Sequence, residues 1–134
     1  MNSALFVRSY PPPAVNEREI LRYAGVPAEA PELAGPLADC LAEIKGKLSC
    51  QVCWREFPIT CRGERLDLGF TETDAKALQK NLQGCDSVIV FAATVGLEID
   101  RLIARYGAIS PSKALLFQAI GAERIESLCD AFCE

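Results

Sequence analysis

The chain has 134 residues, half of them hydrophobic, and a formal net charge of -4. That length suits one domain, residues 1–134, with enough apolar material to bury roughly two-thirds of its unfolded surface. An acidic chain without a stripe of Lys or Arg excludes a phosphate-backbone binder, and a chain without histidine excludes Ser-His-Asp, Cys-His and His-ligated metal chemistry.

Ala4 to Ser9 reads as a short strand, and its apolar run Leu5-Phe6-Val7 is shorter than the roughly 7–15 residues of a signal-peptide core. No stretch approaches the about 18 consecutive apolar residues of a membrane span, so a cytoplasmic location is expected. Pro11-Pro12-Pro13 stiffens the chain into an extended connector. Asn16 and Glu19 then form an N-x-x-E pattern, close to a capping box, opening a helix through Tyr23 that Gly25 stops. Leu33, Leu37, Leu41, Ile44 and Leu48 make one stripe of an amphipathic helix from Pro31 to Lys47.

The period then changes. Ser49 to Phe57 reads as a strand, interrupted by Pro58 at an edge or bulge. Arg62-Gly63-Glu64-Arg65 mixes both charge signs and reads as a solvated turn. Leu66, Leu68 and Phe70 alternate as one strand face, so a hairpin with Ser49–Phe57 is expected. Thr71 and Asp74 open a helix carried by Ala75, Leu78 and Leu82 and ended by Gly84. Ser87 to Ala92 is apolar enough to be a strand buried on both faces. Ile99, Leu102, Ile103 and Tyr106 give a further helix. Ser110-Pro111 starts the last one, with Ser as cap and Pro at the first position. Its pattern runs through Leu116, Ile120, Ile125, Leu128, Cys129 and Phe132 and is not closed by Gly, Asn or Pro, so an apolar edge and self-association are expected. The mixed order argues for an α+β fold: a mixed or antiparallel sheet with helices packed on it.

Three stretches invite a chemical reading. Cys50-Gln51-Val52-Cys53 is a C-x-x-C pair, but strand alternation sends its thiols to opposite sides and no second pair completes a four-thiolate site. The pair is expected to be packed, with metal binding and redox exchange as the alternatives, and the seven cysteines, odd in number, are expected to be reduced. The stretch Phe91 to Leu102 is a strand, a turn at Gly96 and a helix. Such a turn can hold an anion on its backbone N–H groups; alternatively Thr94 caps the helix and Gly96 permits close packing. On the last helix Glu126 and Asp130 share a face, which could hold an ammonium group or be solvated.

Taken together, these stretches resemble a known family. Glu19-Ile20-Leu21-Arg22-Tyr23-Ala24-Gly25 resembles its E-x-L-R-Y-x-G segment, and Trp54-Arg55-Glu56-Phe57-Pro58-Ile59 its strand. Ala92-Ala93-Thr94-Val95-Gly96-Leu97-Glu98-Ile99-Asp100-Arg101-Leu102 resembles its A-A-T-x-G-x-x-(I/V)-D-R-L turn. Lys113-Ala114-Leu115-Leu116 and Gly121 through Asp130 resemble the helix that follows. The family is the reactivation (activation) domain of vitamin B12-dependent methionine synthase, and the resemblance covers nearly the whole chain. It implies an activation-domain-like fold and an accessory part in methionine biosynthesis. The domain presents S-adenosylmethionine to a cobalamin oxidised to Co(II), and an electron from a flavodoxin drives the remethylation; the methyltransferase chemistry resides in the cofactors.

The resemblance further implies a partner, the cobalamin-binding module of methionine synthase or another corrinoid protein, rather than nucleic acid or membrane. Its R-x-x-P-G-Y segment, which gives S-adenosylmethionine an Arg and backbone groups, has no counterpart in these residues. The chain is therefore expected to be a fragment or a short form that binds this ligand weakly. By the resemblance Glu126, or else Glu123, would meet the ammonium group, and Thr94 and Gly96 lie in the family's turn. No residue is nominated as catalytic or as a metal ligand. The alternative is a non-catalytic interaction module, or a thiol-rich metal- or redox-binding protein, on the same fold.

Overall fold

The computed structural model describes residues 4–27 and 30–134. In chain order the elements are β1 (Phe6–Tyr10), α1 (Glu17–Tyr23), a 3-10 turn (Pro31–Leu33), α2 (Ala34–Ile44), β2 (Cys50–Pro58), β3 (Thr60–Arg62), β4 (Arg65–Asp67), β5 (Glu72–Thr73), α3 (Lys76–Asn81), β6 (Ser87–Thr94), α4 (Glu98–Tyr106) and α5 (Pro111–Cys133). The class is α+β. One three-stranded sheet has the order β1-β2-β6 and a second the order β3-β4-β5. Bonds from Ser49 N–H to the Val95 carbonyl and from Ile59 N–H to the Asp86 carbonyl fix β2 and β6 as antiparallel.

Local signals account for most boundaries. Asn16 caps α1 through its side-chain oxygen, which accepts the Glu19 N–H at 3.2 Å. At the other end Gly25 has φ +76°. Its N–H reaches the Arg22 carbonyl at 3.0 Å and the Val26 N–H reaches that of Leu21 at 3.1 Å, a Schellman closure. Pro111 stands at the first turn of α5, where its missing N–H leaves nothing unpaired.

The chain groups into two compact units. One comprises Ser9–Val52 with Ala93–Glu134. Its core is helix against helix: Ile20 of α1, Leu37, Cys40 and Ile44 of α2, Ile99 and Leu102 of α4, and Leu116, Phe117, Ala119 and Ile120 of α5. Within this unit α5 packs on α1, α2 and α4. Each large apolar side chain buried here contributes about 1.5–3 kcal/mol. A polar brace crosses the same helices. Tyr106 donates its hydroxyl hydrogen to Glu43 at 2.8 Å, Lys113 lies 3.2 Å from the other Glu43 oxygen, and the Tyr106 ring stacks on Phe117. The apolar edge expected on α5 is not open: Leu128 is buried, and Ile125 and Phe132 are half-buried.

The other unit comprises the stretch ending at Arg8 and Cys53–Ala92. Here three expectations are corrected. The hairpin is β3 with β4, turning at Gly63-Glu64 with Arg62 opposite Arg65, and β2 takes no part in it. Instead β2, which includes Pro58 as its last residue, pairs with β1 and β6. The helix expected from Thr71 is confined to Lys76–Asn81, because Glu72 and Thr73 pair with β4 as β5. Finally, β6 is not buried on both faces: Ile89 is 53% and Val90 41% exposed. Apolar composition made β6 look central, but it is an edge strand. The charged turn is solvated as expected, with Arg62 paired to Asp67 and Glu72 across the small sheet. Leu66 and Leu68 are buried, while Phe70 is exposed with its ring 4.6 Å from that of Phe57.

No helix among the described residues is long and apolar enough to cross a membrane.

Candidate functional site

The turn between β6 and α4 is built by three residues. Thr94 ends the strand, and its hydroxyl oxygen accepts the Gly96 N–H at 3.0 Å. Thr94 thus closes the turn rather than capping α4, whose N-cap is Leu97 with no side-chain bond. Gly96 has φ +92°, and a Cβ there would stand 3.2 Å from both the Cβ and the backbone N of Ser49. Backbone angle and space both require glycine. On α5, Gly121 faces α4, where a Cβ would make ordinary van der Waals contact with Ile99 at 3.4 Å.

These small residues leave an open groove of about 330 Å³ beside the turn, with Thr94, Gly96, Asp100, Gln118, Gly121 and Ile125 among its lining. Its polar groups are a hydroxyl, an amide and a carboxylate, and no cation lines it. The anion reading of the turn finds no support. Glu98 and Asp100 occupy the first turn of α4, where they already complement the helix dipole, and the Gly96 N–H is taken by Thr94.

The two carboxylates nominated on α5 part ways. Glu126 is exposed, as is Asp130 one turn on, and neither lines the groove. Glu123 is buried at 1% exposure beside Arg124 at 2%. Every oxygen of Glu123 is engaged. Arg124 reaches one at 2.7 Å through Nε and the other at 2.9 Å through Nη2. Ser127 donates to the second at 2.7 Å, and so does the Asn16 N–H at 3.1 Å. Arg124 also donates to the carbonyls of Pro13 at 2.6 Å and Ala14 at 2.9 Å. Burial pushes the Glu123 carboxyl up, but the bonds from Arg124, Ser127 and Asn16 outweigh it and hold the group below the usual carboxylate range.

This node ties the proline-rich connector to α5. Sequence reasoning nominated Glu123 for a ligand, read Asn16 only as the start of α1 and gave Arg124 no role. The available signal was position: Ile120, Arg124 and Leu128 fall four apart, so an arginine occupies the buried stripe of α5.

The cysteines divide by environment. Cys50 is buried and Cys53 is half-buried on β2, their positions of opposite parity as alternation requires. Burial raises the thiol pKa of Cys40 and of Cys50. Cys61, Cys85 and Cys133 are exposed.

These residues do not fit S-adenosylmethionine. Its carboxylate needs a cation and its ammonium group an acid with a free lone pair. The groove lacks the first, and Glu123 is buried and already bonded to Arg124, Ser127 and Asn16. Glu126 remains, on open surface. Nor can a chain without histidine offer an imidazole to cobalt. No protein-family model matches the chain, and no curated protein matches it.

Proposed function

We propose that this chain is an accessory docking module related to the reactivation domain of B12-dependent methionine synthase, and that it acts by binding a corrinoid protein. The activation-domain-like fold is part of the same proposal. What supports the reading is where the resembling residues stand. Ile99, Leu102, Glu123 and Arg124 are buried, and Gly96 sits at a positive φ where a side chain would be strained against Ser49. The other members of the resemblance, among them Arg22, Tyr23, Asp100 and Arg101, are exposed and leave it a surface that a partner could meet.

The chain contributes surface and positioning in this account. Cobalamin stays with the partner, and the methyl donor and the electron are supplied by S-adenosylmethionine and a flavodoxin that meet the partner. No step of that chemistry is assigned to a residue of this chain, because the residues beside the Gly96 turn do not fit the donor.

Co-purification tests the proposal. The chain is mixed at near-physiological salt with the cobalamin-binding module of a methionine synthase and, separately, with nucleic acid. Retention of the cobalamin module alone is expected. Retention of nucleic acid without the module would overturn the reading.

A further inference from the structure

We propose that a cleft on the β-rich unit is a thiol site selective for small anionic disulfides, with Cys61 and Cys85 as its nucleophiles. The cleft has a volume of about 380 Å³, and both exposed thiols line it together with Arg65, Lys76, Lys80 and Leu82. Three cations and no carboxylate border this cleft, in a chain whose net charge is -4. Lys76 and Lys80 are one turn apart on α3, a repulsive like-charge spacing, and neither forms a salt bridge among the described residues. Arg65 is 3.7 Å from Glu72, an exposed and weak pair. The segment is held in place by the Gln79 side chain, which donates to the Glu64 carbonyl, and by the Ile59–Asp86 backbone bond.

An anion entering this cleft relieves the Lys76–Lys80 repulsion and brings its disulfide beside a thiol. The thiolate Sγ attacks one sulfur of the ligand's S–S bond. A protein–ligand disulfide forms, the ligand's own S–S bond breaks, and the second half departs as a thiolate that takes a proton from water. The protein sulfur is oxidised and the departing half reduced, so the ligand is itself the oxidant. A carboxylate-bearing disulfide of the glutathione type has the required charge.

The test compares glutathione disulfide, which is anionic, with cystamine, which is cationic, on the full chain. Modification rates at each cysteine are read by peptide mass spectrometry. Cys133 is the internal comparator: it is also exposed but does not line the cleft, and it lies beside Glu134 and one turn from Asp130. Cys61 is read in Cys85→Ser and Cys85 in Cys61→Ser, so that neither thiol resolves the product of the other. Relative to Cys133, each should prefer the anionic reagent by about tenfold at low salt. The preference should fall toward unity in Lys76→Gln/Lys80→Gln, and also in wild type at 1 M salt, where the screening length is about 3 Å. No preference at low salt, or a preference that survives both treatments, would overturn the proposal.

Discussion

Replacing Arg124 with methionine keeps most of the side-chain volume on α5 but removes the cation from the node. Glu123, 1% exposed, then retains only the Ser127 hydroxyl and the Asn16 N–H. Breaking a buried pair from one side leaves an uncompensated charge and costs about 3–5 kcal/mol. The carbonyls of Pro13 and Ala14 also lose their donors, but Ala14 is exposed and Pro13 half-buried, so water replaces much of that loss. The expected destabilisation at pH 7 is therefore about 3–5 kcal/mol, a large fraction of the 5–15 kcal/mol typical of a domain.

The pH dependence sharpens the test. In wild type the Glu123 carboxyl lies below its ordinary value. The corresponding stability is present above the unfolded pKa, about 4.3, and is lost as pH falls through the folded pKa. In Arg124→Met the main opposing bond is gone and burial dominates, so the folded pKa rises above 4.3. The variant then regains stability as pH falls through that raised value, and the gap to wild type narrows from pH 7 toward pH 4. Urea unfolding followed by circular dichroism at 222 nm at pH 7, 5.5 and 4.5 measures it. A loss below about 1 kcal/mol at pH 7, or a gap independent of pH, would refute the assignment of Glu123 and Arg124 as a buried ion pair.

Other outcomes follow from the same structure. Gly96→Ala should destabilise by about 1–3 kcal/mol, since the new Cβ meets Ser49 at 3.2 Å in a left-handed backbone; thermal unfolding of the variant measures this. Phe117→Ala, at a fully buried position, should cost about 3–5 kcal/mol in denaturant unfolding. In native protein a colorimetric thiol reagent at pH 8 should consume Cys61, Cys85 and Cys133 first, while Cys40 and Cys50 react only on unfolding, because burial both shields them and raises their pKa. Calorimetric titration with S-adenosylmethionine should give a dissociation constant in the millimolar range, as expected when two or three charge-assisted contacts of about 1.5–3 kcal/mol are lacking. A low-micromolar constant abolished by Glu126→Ala would contradict that.

Local chemistry was legible in the sequence wherever a single residue decides the outcome. Asn16 and Glu19 announced α1, Gly25 its end, and Ser110-Pro111 the start of α5. Leu37 and Ile44 belonged to a stripe that only a helix can bury on one side. What failed depended on partners distant in sequence. The apolar run of β6 is the same string whether the strand is central or at an edge, and only the order β1-β2-β6 shows which. Thr94 had the chemistry of a helix cap, yet the turn at Gly96 intercepts its hydroxyl first. Glu123 had the chemistry of a ligand contact, and its role in the node required Asn16, over a hundred positions away, to be seen beside it.

Docking to a corrinoid protein is the claim on which the functional account stands. Its most direct measurement is a calorimetric titration of this chain with the purified cobalamin-binding module of a methionine synthase at near-physiological salt. A saturable one-to-one complex is predicted, and it should be lost when the chain carries Arg124→Met at a temperature where that variant is unfolded. Heat exchange no greater than dilution, with a wild-type chain shown to be folded, would contradict the account.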